Sequence, residues 1–394
     1  MSDVAERLEE LRERGLYRRL RLIEGPQGPS VTLDGRPVLL LCSNNYLGLA
    51  DRAEVREAAA EAAMRWGAGA GASRLISGNM EPHRELERRL AAFKGYEASL
   101  LFGSGYLANT GIIAALAGRG EVVFSDELNH ASIVDGCRLS RAETFVYRHA
   151  DVEHLAWGLE QAGGRAALVV TDGVFSMDGD VAPLPQLLEL ARNHGARLMV
   201  DEAHATGAVG PGGRGSVSAA DLSGEVDVVV GTLGKALGSY GAYACANAET
   251  IDFLVNSARP FIFSTAPPPP ALGGALAALE ILEAEPELVE RLQANAETLR
   301  GALAAEGLRG GRSATQVVPV EVGGAETTME LCERALRRGV FAQGIRPPTV
   351  PEGSSRLRFT VMATHQTREL KTAAREVGVA AREIGLAEPR PLAA

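Results

Sequence analysis

Between residues 97 and about 245 the chain alternates short apolar runs with helical patterns, and this alternation restricts its fold more than any other feature. The runs EVVFSD (121–126), AALVVTDG (166–173), ARLMVDEAH (196–204) and VDVVVGTLG (226–234) have the length and β-branched content of strands buried on both faces. Segments with helical spacing, 105–117, 130–140, 151–162 and 183–194, lie between and around them. Strands that alternate with helices build a mostly parallel sheet sandwiched by helices, an α/β fold.

The flanks read differently. Residues 1–24 have the pattern of a polar amphipathic helix with a basic stretch, Arg18, Arg19 and Arg21, and 30–42 look like a hairpin around Asp34-Gly35. A helix follows over about 53–66, then the glycine-rich GAGAGASRLISG (67–78). No strand precedes those glycines, so they are not a dinucleotide fingerprint. Pro82 opens the next helix, with Leu86, Leu90 and Phe93 on its inner face. Residues 270–306 are helical with a break near Pro286, and strands at 315–322, 339–346 and 355–362 before a closing helix make a smaller C-terminal α+β unit. The expected division is a 1–45 helix and hairpin segment, a large 46–275 domain and a small 276–394 domain.

With 394 residues, 46% of them apolar, the chain can bury more than one core, and a net charge of −10 argues against a nucleic-acid or anionic-membrane partner. Its four scattered cysteines suggest neither a disulfide framework nor a zinc site, and no metal is expected. The charged start lacks the apolar core of a signal peptide, and no stretch is apolar enough to span a bilayer, so a cytoplasmic protein is expected. Of 40 basic residues only Lys94, Lys235 and Lys371 are lysines. Arginine cannot form an imine and lysine can. Lys94 and Lys371 lie on amphipathic helices and read as solvated charges. Lys235 stands among glycines after an apolar strand, where a routine surface charge has no place.

In open α/β sheets ligands bind beyond the carboxyl ends of the strands. There this chain puts Asp126 and His130, Asp172 and Ser176, Asp201 and His204, and Thr232 and Lys235, while Ser104-Gly105-Tyr106 opens a helix whose first amides suit a phosphate. Singly, each has a plainer reading: Asp201, Ser176 and Thr232 as caps, His130 and His204 as core or surface histidines. Together they match what pyridoxal phosphate needs: a lysine for its aldehyde, a buried carboxylate for its pyridine nitrogen, a flat partner for its ring and a helix N-terminus for its phosphate.

DEAH (201–204) followed by GTLGKALG (231–238) resembles the fold-type I pyridoxal-phosphate transferases. SNNYLGLA, GSGY, DELNHASIVDG, DGVFSMDGD, FSTAPP and RPPTVPEGSSRLRFT, in order from about 16 to 365, narrow the resemblance to the α-oxoamine synthase family. The resemblance implies that Lys235 carries the cofactor imine, Asp201 pairs with the pyridine N–H, His204 and Ser176 approach the ring hydroxyl, and His130 stacks on the ring. It also implies that Ser104, Gly105, Tyr106 and Thr232 meet the phosphate, with Ser264 and Thr265 reaching it across a homodimer interface. Asn44 and Arg358 would hold the amino acid's carboxylate, Arg356 being the alternative to Arg358. Thr349 would line the substrate pocket and Arg18 would contact the acyl substrate. His83 matches a family position and is read as structural.

IRPPTVPEGSSRLRFT (345–360) most resembles the members that condense L-alanine with pimeloyl-CoA and release carbon dioxide in biotin biosynthesis. The cofactor residues do not separate these from the glycine-using members, such as 2-amino-3-ketobutyrate CoA ligase and 5-aminolevulinate synthase. A non-catalytic subunit on the same fold would be expected to lose the lysine. An ordinary aminotransferase leaves the RPPTVP and SNNYLG segments without a role.

Overall fold

The structure, a computed structural model, describes residues 3–308 and 310–387. It divides into two compact units, a larger one of Asn45–Ser176 with Asp180–Glu290, and a smaller one of residues 1–44, Met177–Gly179 and 291–394. The division thus falls inside the helix Glu287–Ala305, and the N-terminal segment groups with the C-terminal part of the chain.

The larger unit is built on a seven-stranded sheet. Its strands are β1 (Ala98–Phe102), β2 (Val122–Asp126), β3 (Glu143–Tyr147), β4 (Ala166–Asp172), β5 (Arg197–Asp201), β6 (Val228–Thr232) and β7 (Ala242–Ala246). They are ordered β1-β7-β6-β5-β4-β2-β3, with β7 antiparallel to both its neighbours and every other pair parallel. Successive side chains point to opposite faces of a strand, and each face here has its own core. Val123, Leu168, Val170, Met199, Val228 and Val230 enter one, with helix residues Ile112, Ile113 and Ile133. Val122, Phe124, Val169, Leu198, Val200 and Val229 enter the other, with Leu155, Leu159, Leu187 and Leu188. This double burial explains why the strands read as unbroken apolar runs.

The helices Gly105–Leu116, Ala131–Ser140, Val152–Ala162 and Leu184–Asn193 stand where the periodicity puts them. Strands β1, β3 and β7 were not among the runs singled out. β3 is a sheet edge with Glu143, Thr144 and Val146 exposed, and β7 is mostly alanine, a weak strand former.

One expectation is corrected. Lys94 is buried at the end of the helix Glu81–Lys94, where its ammonium pairs with the carboxylate of Glu202 and donates to the Arg214 carbonyl. Glu202 also accepts from Ser216 Oγ at 2.9 Å and the Val217 amide at 2.7 Å. Lys371 is exposed as expected. His83 is fully buried and holds local structure: its Nδ1 accepts from the Met80 amide at 3.2 Å and its Nε2 meets the Pro267 carbonyl at 2.9 Å.

In the smaller unit the N-terminal helix covers only Val4–Glu13, so Arg18 lies in exposed irregular chain beyond it. Strands Ser30–Leu33 and Arg36–Leu40 form the expected hairpin, closed by Asp34 and Gly35 at φ 49° and 77°, the left-handed pair that a two-residue turn requires. Strands Val317–Gly323, Ser355–Thr360 and Gln343–Ile345 form a three-stranded antiparallel sheet, with the helix Ala325–Arg337, absent from the sequence reading, in the same unit. Among the described residues no helix is long and apolar enough to cross a membrane.

Candidate active site

Within the larger unit the carboxyl ends of β2, β4, β5 and β6 deliver the polar residues singled out in the sequence. Lys235 sits in the turn after β6, which Gly238 closes at φ 60°, where a Cβ would run into the Ala50 backbone, so a side chain there has no room. Lys235 Nζ lies 2.9 Å from His204 Nε2, and His204 Nδ1 lies 2.6 Å from the hydroxyl of the fully buried Tyr46. This line of three gives the lysine amine a partner that can take up or return a proton. Tyr46 was not singled out, although the SNNYLG segment that contains it was the available signal.

Asp201 ends β5 and is buried. Its Oδ1 accepts from the Ala203 amide at 2.8 Å and its Oδ2 from Asn109 Nδ2 at 2.6 Å. Residues 203–208 form turns and not a helix, so Asp201 is no helix cap: one oxygen holds the turn, while the other is held by a side chain from the helix Gly105–Leu116. Asn109 escaped the sequence reading because a buried polar residue inside an apolar helix carries no local motif.

His130 caps the helix Ala131–Ser140, and its own amide donates to Asp172 Oδ2 at 2.8 Å. Burial, the largest influence, lowers the imidazole pKa. The negative Asp201 raises it and the positive Lys235 lowers it further, leaving it below its ordinary value. Burial and then the Asp201 charge push the Asp172 carboxyl well above the usual carboxylate range. Asp201, Lys235, His130 and Asp172 thus share one electrostatic neighbourhood.

The Ser104 hydroxyl caps the helix Gly105–Leu116 by accepting from the Leu107 amide at 3.2 Å. The amides of Gly105 and Tyr106 belong to the first turn, where a helix offers its own backbone no acceptor. The Tyr106 hydroxyl is committed to Asp135. Thr232 Oγ1 donates to the Gly241 carbonyl at 3.0 Å and accepts from the Gly234 amide, which fixes the start of the lysine turn. Ser176 lies in the turn between the bridged residues Val174 and Val181. Ser264 and Thr265 stand on a short bridge from Thr265 to Ser73, beside the exposed Phe263.

In the smaller unit both terminal guanidinium nitrogens of Arg358 lie 3.4 Å from Asn44 Oδ1, so the two residues expected to share a carboxylate are neighbours. Arg356, the alternative, is paired with Asp178 and donates through Nε to the Ser354 carbonyl at 3.1 Å. Thr349 is exposed in the turn after Arg346. Burial and then the nearby charge of Arg18 lower the Arg346 pKa, which sets two guanidinium groups close to each other.

The donor set fits pyridoxal phosphate. A lysine amine, a buried carboxylate, an imidazole and a helix N-terminus follow β6, β5, β2 and β1 of one sheet. Among the described residues no group of three or more His, Cys, Asp or Glu could hold a metal ion.

Residues 36–377 match the family of class I and II aminotransferases. An 8-amino-7-oxononanoate synthase of Citrifermentans bemidjiense is 55% identical over 377 residues, 95% of this chain and 97% of that protein. A second, from Anaeromyxobacter sp. (strain K), is 51% identical over 97% of this chain and 96% of its own. Among solved structures, a serine palmitoyltransferase of S. paucimobilis with a bound PLP–myriocin aldimine superposes with a TM-score of 0.92 at 34% identity, covering 97% of this chain and 98% of that one. An 8-amino-7-oxononanoate synthase from Francisella tularensis gives a TM-score of 0.77 at 26% identity, covering 88% of this chain and 98% of that one.

Proposed function

We propose, from the premise that the chain belongs to the class I and II aminotransferase family and within it to the α-oxoamine synthases, that it joins L-alanine to pimeloyl-CoA or another pimeloyl thioester. The products are 8-amino-7-oxononanoate, CoA and carbon dioxide, a step of biotin biosynthesis. The protein is a pyridoxal-phosphate-dependent acyltransferase of fold type I. The observation that carries the reading is the lysine amine 2.9 Å from His204, with the fixed carboxylate of Asp201 in the same neighbourhood.

Pyridoxal phosphate, when bound, supplies an electron sink for the carbanion at the amino acid's Cα. The chain does the rest. Lys235 would hold the cofactor through its amine, and the same amine would remove the Cα proton, with His204 and Tyr46 as partners for the proton. Asp201 is held by two donors, so it would meet the ring nitrogen without reorganising. His204 and Ser176 would approach the ring hydroxyl, and His130 would stack on the ring. Ser104, Gly105, Tyr106 and Thr232 would hold the phosphate. His130 would donate a hydrogen bond to the thioester oxygen while the alanine Cα bonds to the acyl carbon and the C–S bond breaks to release CoA, or to the new keto oxygen while the C–C bond to the carboxylate breaks to release carbon dioxide. Asn44 and Arg358 fix the alanine carboxylate, which decides the Cα bond that is broken.

Thr349 lines the alanine pocket, and Arg18, with Arg346 nearby, meets the anionic acyl substrate. Ser264 and Thr265 serve the phosphate bound by a second copy of the chain in a homodimer, a role that the exposure of Thr265 beside the exposed Phe263 supports. Mass analysis of the product from L-alanine and pimeloyl-CoA tests the reading: it expects 8-amino-7-oxononanoate, and a product that retains the alanine carboxyl would refute it.

A further inference from the structure

We propose that Asn109 and Ser132 are positioning residues that lock His130 as its Nε2–H tautomer and tie the ring to Asp201. All three partners of His130 in this chain of hydrogen bonds are buried. Asn109 Nδ2 donates to Asp201 Oδ2 at 2.6 Å, so the amide turns its nitrogen toward the carboxylate. The same nitrogen donates its second hydrogen to Ser132 Oγ at 2.9 Å. The Ser132 oxygen therefore accepts, and its own hydrogen is directed to its other neighbour, His130 Nδ1, at 2.7 Å. The Ser132 amide points at the same nitrogen from 3.3 Å. A ring nitrogen that receives two donors carries no proton, which leaves the proton of the neutral imidazole on Nε2.

Two observations support this reading. Asn109 Oδ1 is buried and has no hydrogen-bond partner among the described residues. An orphaned buried acceptor costs about 1–3 kcal/mol, and turning the amide over would place that oxygen against the Asp201 carboxylate. The charged groups around His130 are Asp201 and Lys235, with Asp172 at its backbone, and their balance with burial favours the neutral ring. A neutral ring fixed with Nε2–H outward always presents a donor. A ring free to change tautomer would present a lone pair part of the time.

The inference deepens the acyl-transfer reading, in which His130 donates to the thioester oxygen, and its test is independent of the acyl donor. The holoenzyme, labelled with ¹⁵N in its seven histidines, is examined by ring-nitrogen NMR, with His130→Gln for assignment. The wild-type His130 ring should show a protonated Nε2 and an unprotonated, hydrogen-bonded Nδ1. Asn109→Leu releases the Ser132 hydroxyl to turn, and Ser132→Ala removes it with less change of volume should leucine disturb the helix. Both should move the two ring nitrogens toward averaged shifts. Both should also lower turnover about 10- to 100-fold with KM for L-alanine unchanged, a smaller effect than the 10²–10⁴ of removing a general acid outright. A wild-type ring protonated at Nδ1, or wild-type ring shifts in both folded variants, would overturn the proposal. A locked Nε2–H ring in a protein inert toward L-alanine and pimeloyl-CoA would leave it standing and sink only the substrate assignment.

Discussion

Replacing Lys94 by methionine should destabilise the larger unit severely, although the residue lies outside the catalytic list. Its side chain and that of Glu202 are 2% and 0% exposed, and their ion pair is supplemented by the Arg214 carbonyl, Ser216 Oγ and the Val217 amide. Desolvating two charges makes such a pair worth little net, yet removing one partner strands the other in low dielectric, at about 3–5 kcal/mol. Here the two neutral donors on Glu202 remain after Lys94→Met, which places the loss near the lower bound, about 3 kcal/mol. For a domain of this size that is a fall in Tm of about 6–12 °C. Lys94→Met with Glu202→Gln, which removes the stranded charge and keeps the acceptor for Ser216 and Val217, should recover about half of it. Thermal and urea unfolding of the three variants measure these differences. A Tm for Lys94→Met within about 2 °C of wild type would refute the claim that a buried charge is left uncompensated.

Five further substitutions are expected to behave as follows. His149 bridges Asp126 at 3.0 Å and Asp180 at 2.6 Å; burial lowers its pKa, but the two carboxylates outweigh that and raise it to about 10. A folded-state pKa above the ordinary 6.5 contributes stability that is complete below pH 6.5 and is lost as pH rises through about 10. The stability gap between wild type and His149→Gln should therefore narrow across that window, and melts with a gap independent of pH would contradict it. Lys235→Ala should abolish both turnover and the visible imine absorbance, and Asp201→Asn should keep the fold and lose most of the rate. Wild-type activity in either variant removes the corresponding role. Arg358→Ala should lower kcat/KM for L-alanine about 100-fold, as about 3 kcal/mol from a charge-assisted pair implies. Arg356→Ala, which breaks the pair with Asp178, should act mainly on stability; the reverse pattern in kinetics and melts would exchange their roles.

What the sequence disclosed follows from where its signals lie. Strands buried on both faces are unbroken apolar runs, so β2, β4, β5 and β6 stand out, and with them the site residues at their ends. The alanine-rich β7 and the exposed edge β3 lack that signature. The lysine among glycines was legible because the chain otherwise uses arginine. The same scarcity was misleading at Lys94, whose amphipathic helix conceals that its ammonium turns inward to Glu202. Asn109 and Ser132 stayed hidden for a related reason: their roles depend on contacts 92 and 23 residues away along the chain from Asn109, which no local pattern encodes. Arg356 and Arg358 are two positions on one face of a strand, so the sequence does not separate them, and only their partners differ, Asp178 for the first and Asn44 for the second.

The central claim is the condensation itself, and release of free CoA thiol measures it most directly. The purified protein, loaded with pyridoxal phosphate, would be offered L-alanine or glycine against pimeloyl-CoA or acetyl-CoA in all four combinations. The account predicts thiol release with L-alanine and pimeloyl-CoA and little in the other three. Turnover with glycine and acetyl-CoA instead would contradict the substrate assignment while leaving the cofactor chemistry in place, and silence in all four from a protein that shows the imine absorbance would contradict the condensation reading.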